Sequence, residues 1–280
     1  MIIAKSKEEL DKALKQLSLK PGKLALIPTM GNLHEGHLSL IKMAKLHSTK
    51  TITTIFVNPL QFGKNEDFNE YPRTIETDVE KLKNENCDVL FIPKNKNEMF
   101  YEKEKLKKIE SGELGKELCG KIRPDHFDGV LTVVYRMFYI INPDIAIFGA
   151  KDYQQQILVK KMAKTHFPHL EILTAPIIRS SNGIALSSRN SYLSSDELEL
   201  ASNLFKSLRQ SISLYQNGIS EEEVIKKAKD FLISKNLIPD YFELRDDILN
   251  KIEKGTYNGK KIFLGSVKIG KTTIIDNIEF

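Results

Sequence analysis

Along the first two-thirds of the chain, apolar residues fall in short β-type runs separated by longer stretches with helical spacing. Leu24–Ile27 reads as a buried strand, Gly31 as a turn, and Gly36–His47 as the helix that follows. Thr51–Val57 is the next strand, ended by Asn58-Pro59, because proline restricts its predecessor and has no N–H for a ladder. Thr74–Asn86 then reads as a helix and Asp88–Ile92 as a strand. Val130, Val133, Val134, Met137, Phe138 and Ile141 share one helical stripe, stopped by Asn142-Pro143. Asp144–Phe148, Lys151–His166 and Glu171–Ala175 continue as strand, helix and strand. This alternation predicts an α/β domain, a parallel sheet with helices on both faces.

Past Arg179 the rhythm changes. Ser194-Ser-Asp-Glu197 and Ser220-Glu-Glu-Glu223 match the capping box, so two helices follow one another. β-type runs at Tyr241–Leu244, Lys261–Ile269 and Thr272–Ile275 come after them, with an antiparallel look. The expected organisation is therefore a sheet domain over 1–178 and a smaller α+β domain over 179–280, the latter placed to close over a ligand. Asn65–Asn69 and Asn95–Lys108 read as the mobile stretches.

Composition narrows the classes. Hydrophobic residues are 41% and charged residues 28% of 280, enough apolar material for a real core. The formal charge of +5 is small and scattered, and Lys-rich faces such as Lys103–Lys108 read as solvated, so no nucleic-acid partner is expected. Two cysteines, Cys87 and Cys119, lie outside any metal-type spacing and fit a reducing cytoplasm. The first residues carry no secretory signal, and Val130–Ile141 is too short and too polar to span a bilayer.

The most informative segment is Pro28-Thr-Met-Gly-Asn-Leu-His-Glu-Gly-His37, where a strand turns into a helix. In a parallel sheet the ligand crevice lies at the carboxyl ends of the strands, and a helix N-terminus there attracts phosphate. Gly31 and Gly36 let backbone approach a ligand, and His34 and His37, three apart, share one side of the helix. Such a pair could also hold a metal, but no Cys or third His follows at ligand spacing. Phosphate is the better reading. Gln61, just past Asn58-Pro59, offers an amide with donors and an acceptor, or else satisfies its own turn. Lys151 and Asp152 again follow a strand. They suit a phosphate and a hydroxyl or amine, or form a solvated pair. Gln155 lies one helical turn from Lys151. Ser187, Ser188 and Arg189 can bracket a triphosphate or make a polar turn before the capped helix.

His34-Glu-Gly-His37 is an H-x-G-H motif of the adenylyl-transferring α/β superfamily that includes class I aminoacyl-tRNA synthetases. The wider string resembles the pantothenate synthetase (pantoate–β-alanine ligase) family. Six further blocks resemble it in order: Phe56–Gly63, Tyr71–Thr74, His126–Val130, Phe148–Gln155, Gly183–Asn190 and Asp240–Asp246. They cover essentially the whole chain. The resemblance implies a Rossmann-like first domain and the ligation of pantoate to β-alanine through a pantoyl adenylate, releasing pyrophosphate and AMP. It implies catalytic roles for His37, His34, Lys151 and Arg189. It assigns ATP to Met30, Gly31, Asn32, Leu33, His34, Glu35, Gly36, His37, Gly149, Ala150, Lys151, Asp152, Ile178, Leu186, Ser187, Ser188 and Arg189. Pantoate falls to Gln61 and Gln155, and β-alanine to Gln61. A homodimer is also implied, and Mg²⁺ is expected to arrive on the ATP phosphates. No protein ligand of that metal is fixed, Glu76 and Asp78 being the acidic positions after Tyr71–Thr74. Ala150 stands where the family often carries Glu, a change that leaves Gly149, Lys151 and Asp152 in place.

Three rivals stand beside this reading: a nucleotidyltransferase that stops at a phosphate acceptor, an RNA-binding module, and a non-catalytic descendant. The neutral glutamines argue against the first, the lack of a basic or aromatic stripe against the second, and retention of the phosphate-handling residues against the third.

Overall fold

The structure is a computed structural model, and it describes residues 1–17, 22–64, 66–100, 107–252 and 257–280. The chain forms two compact units, Met1–Ala150 with Leu158–Pro176, and Lys151–Ile157 with Ile177–Phe280. Asn65, residues 101–106 and with them most of the Lys103–Lys108 face lie outside the described residues.

In the first unit, six strands form one parallel sheet. They are β1 (Ile2–Ala4), β2 (Leu24–Thr29), β3 (Lys50–Ile55), β4 (Val89–Phe91), β5 (Ile145–Gly149) and β6 (Glu171–Ala175), in the order β1-β4-β3-β2-β5-β6. Alternate residues of each strand feed opposite faces. Leu24, Leu26, Ile52 and Phe148 pack with helices α1 (Lys7–Gln16), α6 (His126–Ile141) and α7 (Tyr153–His166), whose residues from Leu158 onward belong to this unit. Ala25, Ile27, Ile55 and Ile147 pack with α2 (Glu35–His47) and α3 (Ile75–Asn84). Short helices α4 (Lys96–Met99) and α5 (Cys119–Ile122) lie before α6, with Asn95 capping the first of them.

Sequence and structure part company in three places. The edge strand β1 has too few residues for periodicity to reveal, whereas helix α1, capped by Ser6 accepting from the Glu9 N–H, carries the stripe Leu10, Ala13, Leu14 and Leu17, which is absent from the expected elements. Helix α6 begins at His126 and buries 13 of its 16 residues, Thr132 and Arg136 included, so it is enclosed rather than striped. Asn142, at φ 49°, ends it in the left-handed region that Asn tolerates. Lys151 lies in a 3₁₀ turn over Ala150–Asp152, and the α-helix proper starts at Tyr153.

The second unit contains α8 (Ser195–Gln216), α9 (Glu221–Ser234) and an antiparallel sheet of β7 (Ile238–Asp246), β8 (Lys261–Ile269) and β9 (Thr272–Glu279). The Ser194 box is reciprocal with Glu197. At Ser220 the hydroxyl accepts from the Glu223 N–H, while the Glu223 carboxylate pairs with Lys227 at 3.0 Å one turn on. Phe242, Leu244, Phe263 and Val267 close the core against Leu204 and Leu208.

Candidate active site

The sheet order reverses at β2. From there the chain steps outward through β3 and β4 on one side, then returns to build β5 and β6 on the other. A crevice at the carboxyl ends of the strands is expected at this switch, and Met30–His37 runs out of β2 directly into it.

The turn is made by two consecutive left-handed residues, Gly31 at φ 85° and Asn32 at φ 49°. A Cβ on Gly31 would lie 3.0 Å from Ile55 Cγ2 and 3.2 Å from Asp78 Oδ2, so a side chain would crowd both neighbours besides straining the left-handed backbone. Thr29 Oγ1 donates to the Thr54 carbonyl at 2.7 Å and accepts from the Gly31 N–H at 3.3 Å. The N–H groups of Asn32 and Leu33 turn inward, to Asp78 Oδ2 at 2.9 Å and Asp78 Oδ1 at 2.8 Å. Leu33 itself is a core residue.

His34 is the N-cap of α2. Its Nδ1 accepts from the Gly36 N–H at 3.1 Å, and His37 Nδ1 accepts from the His34 N–H at 3.3 Å. This is a capping box made by two imidazoles, with ring centroids 4.1 Å apart. An Nδ1 that accepts carries no proton, so each ring holds its proton at Nε2. Glu35 lies outward, its carboxylate 3.8 Å from Lys42.

Gln61 closes a 3₁₀ turn, Pro59–Gln61, capped by Asn58, whose Oδ1 accepts from the Leu60 N–H. Asn58 Nδ2 donates to Gln61 Oε1 and to the Gly129 carbonyl, both at 3.1 Å. Gln61 Nε2 reaches Met30 Sδ at 3.1 Å, which joins the β3 turn to the β2 turn. The Gln61 carbonyl takes His126 Nδ1 at 2.8 Å and an Arg123 guanidinium nitrogen at 3.3 Å. A carbonyl only accepts and a guanidinium only donates, so His126 carries its proton on Nδ1, and its Nε2 accepts from Arg123 at 3.1 Å. Arg123 also clamps Glu66 through both carboxylate oxygens. Burial pushes the Glu66 carboxyl up, but the hydrogen bond and charge of Arg123 outweigh it and hold the group below its usual range.

In the second unit, Lys151 Nζ lies 3.4 Å from Asp152 Oδ1, and its carbonyl accepts from Asn277 Nδ2 at 3.0 Å. Gln155 is half-buried in the first turn of α7. Ile178 and Leu186 pair across a small hairpin, through the Leu186 N–H to the Ile178 carbonyl at 2.9 Å. Arg179 fixes that hairpin by a bidentate pair with buried Asp276, and lies over the Phe205 ring at 4.0 Å. Burial pushes the Asp276 carboxyl up against the pull of Arg179. Ser187 Oγ accepts from the Arg189 N–H at 3.3 Å, capping the 3₁₀ turn Ser188–Tyr192.

In two further blocks an arginine holds local backbone. Arg73 donates to the carbonyls of Phe68, Asn69 and Tyr71, and Arg245 pairs with Glu243 and the Leu249 carbonyl. The sequence reading missed Asp78, Lys81, Arg123 and Arg179 as holders of these turns. Only Asp78 and Arg123 had a signal, an acid or a base beside a recognisable block. Among the described residues no three His, Cys, Asp or Glu side chains gather as a metal set. No helix there is long and apolar enough to cross a membrane.

Known proteins agree with this architecture. The family model described as Pantoate-beta-alanine ligase matches residues 2–279. The pantothenate synthetase of Thermoanaerobacter sp. (strain X514) is 42% identical over 99% of this chain and 98% of its own. The pantoate–β-alanine ligase of Schizosaccharomyces pombe is 40% identical over 92% and 91%. The crystal structure of pantothenate synthetase from Thermus thermophilus superposes with a TM-score of 0.90 at 33% identity, covering 99% of both chains. That of the Francisella tularensis ligase, complexed with β,γ-ATP and β-alanine, gives 0.83 at 32%, covering 99% and 97%. Fold and relatives together define an amide-forming ligase built on a parallel α/β sheet. More narrowly, the chain belongs to the pantoate–β-alanine ligase family.

Proposed function

We infer that His34 and His37 grip the ATP phosphates while this chain ligates pantoate and β-alanine to pantothenate. In the first step a pantoate carboxylate oxygen bonds to the α-phosphorus, the bond to the bridging oxygen of the β-phosphate breaks, and pyrophosphate leaves. In the second step the β-alanine amine bonds to the acyl carbon, AMP departs with the carboxylate oxygen, and the nitrogen gives up a proton.

One observation carries the residue assignment. The reciprocal cap uses both Nδ1 atoms on backbone N–H groups, so both rings offer Nε2–H donors at a helix N-terminus. Two fixed donors are preorganised for the charge that develops on departing pyrophosphate. Lys151 supplies a point charge for phosphate, Arg189 a planar fork, and Ser187 and Ser188 hydroxyl donors. Gln61 takes pantoate and then β-alanine, with Gln155 also on pantoate. Its carboxamide suits them because Nε2 is spent on a thioether, a weak acceptor that a substrate oxygen readily replaces. Mg²⁺ fits as a passenger of the nucleotide, since Asp78 spends its carboxylate on two amides. The family resemblance adds a homodimer, for which light scattering at an observed mass of about 64 kDa, twice 32.0 kDa, is the check, and the two lone thiols fit a cytoplasmic setting.

The test is AMP release with MgATP, pantoate and β-alanine, each omitted in turn. AMP should require both organic substrates, and release without either one would end the ligase reading. His37→Ala should cut turnover by at least ~10²-fold, as loss of a preorganised donor to developing charge does elsewhere.

A further inference from the structure

The peptide unit between Leu33 and His34 is held at both ends. Its carbonyl accepts from Lys81 Nζ at 2.6 Å, and its N–H donates to His37 Nδ1 at 3.3 Å. One residue earlier, the N–H groups of Asn32 and Leu33 are taken by the two oxygens of Asp78, a side chain with no solvent exposure. Thr74, the N-cap of α3, reaches Asn32 Oδ1 at 3.4 Å. Residues 74, 78 and 81 are four and three apart, so one face of α3 grips the turn that aims the imidazole pair.

We propose that Asp78 and Lys81 are positioning residues for the reaction, acting through the Leu33–His34 peptide on the orientation and tautomer of His34 and His37. The chain of cause is short. Asp78 keeps two successive left-handed residues, Gly31 and Asn32, in a conformation that few sequences adopt unaided. Lys81 fixes the plane of the next peptide. Its ammonium polarises that carbonyl and so strengthens the N–H that the peptide offers to His37. The stronger that N–H donor, the more firmly His37 Nδ1 stays an acceptor and Nε2 keeps the proton that faces phosphate. None of this requires either residue to touch substrate. The proposal rests on the reading that the imidazole pair handles the ATP phosphates.

The experiment uses full-length protein with Lys81→Met, Lys81→Arg and Asp78→Asn, each alone and combined with His37→Ala. Lys81→Met keeps length but not the donor, and should lower kcat about tenfold with the KM for β-alanine unchanged. Lys81→Arg should recover most of that loss. Asp78→Asn sets an NH₂ against a backbone N–H and should cost more, and if it fails to fold, the Lys81 pair still decides the matter. In a His37→Ala background, Lys81→Met should cost less than twofold, because its route is already cut. With ¹⁵N-labelled histidine, His37 Nδ1 should give an unprotonated signal in the native protein and move toward mixed tautomers in Lys81→Met. Native-like kcat in Lys81→Met, or a full tenfold loss added to His37→Ala, would overturn the proposal. If His37→Ala keeps native turnover, the phosphate reading fails instead. The ¹⁵N signal then judges Lys81 alone, an unchanged tautomer refuting it and a shifted one upholding it.

Discussion

Two turns leave neighbouring strands of the first unit, and they are stabilised in opposite ways. The turn after β2 has its N–H groups gripped by an acid, Asp78, with Lys81 only on the carbonyl that follows, and presents histidines whose Nδ1 atoms accept. The turn after β3 is gripped by a base, Arg123, and rests on a histidine whose Nδ1 donates. In the first case imidazoles are displayed and a carboxylate is hidden. In the second an amide is displayed and the imidazole is hidden. The displayed groups suit their proposed ligands, donors for polyphosphate and a mixed donor–acceptor for a hydroxy acid. The hidden groups are chosen for the backbone atoms they must satisfy: N–H groups call for a carboxylate, and a carbonyl calls for N–H donors.

Glycine substitution should separate the two turns most sharply. Gly129 lies one helical turn after His126, where α6 meets the β3 turn, and a Cβ there would sit 2.0 Å from the Leu60 carbonyl oxygen and 2.8 Å from the Gln61 nitrogen. Backbone must move, and misplacement by about an ångström costs on the order of 10²-fold in rate. Gly129→Ala should therefore lower kcat/KM for pantoate by about 10²-fold and destabilise the fold by ~1–3 kcal/mol. Gly31→Ala should instead raise the KM for ATP, because strain there falls on the His34 side. Steady-state kinetics with each substrate varied in turn would show the split, and equal damage to both substrates in both variants would erase the comparison.

A gentler probe is His126. Its Nδ1–H is what the Gln61 carbonyl uses, and an Asn amide can supply the same donor from a shorter side chain. His126→Ala should cost about tenfold in kcat/KM for pantoate, in line with a lost hydrogen bond of ~1 kcal/mol or slightly more. His126→Asn should retain most of it, while ATP kinetics change in neither. If His126→Ala spares pantoate but weakens ATP, the assignment of this turn to the acid is wrong.

These contacts also explain what could be read from the chain beforehand. Strand–helix alternation, the proline stop after Asn58 and the left-handed Asn142 stop are local, and periodicity or turn chemistry exposes them. The paired histidines are local too, three residues apart on one helix. Asp78 is 46 and 45 residues from the amides it binds, and Gly129 is 71 from Asn58, so no spacing rule reaches them. The His126–Val130 block could be recognised as a family feature, yet its reason appears only in three dimensions: His126 and Gly129 form the face on which the Gln61 turn rests. Strand β1 escaped because three residues at a sheet edge leave no pattern to count.

The smallest expected effect concerns Glu66, the counter-charge that completes the β3 turn. Its carboxyl is held below its ordinary value because Arg123 overcomes the cost of burial. A depressed carboxylate adds stability that is present above the unfolded value and lost as pH falls through the folded one. The acid limb of the stability curve should thus carry a contribution from this pair below about pH 4.5, the ordinary value for the group. Glu66→Gln removes the titration and should flatten that limb while lowering the unfolding midpoint only slightly near neutral pH, since the pair is partly solvated. Thermal melts from roughly pH 3 to about pH 7 span the window in which the carboxylate gains its proton and would measure the difference. Arg123 would keep its bond to the Gln61 carbonyl, so pantoate kinetics at neutral pH should change by less than about threefold. A larger loss would mean that the acid–base pair, and not the imidazole, is what holds the second turn in place.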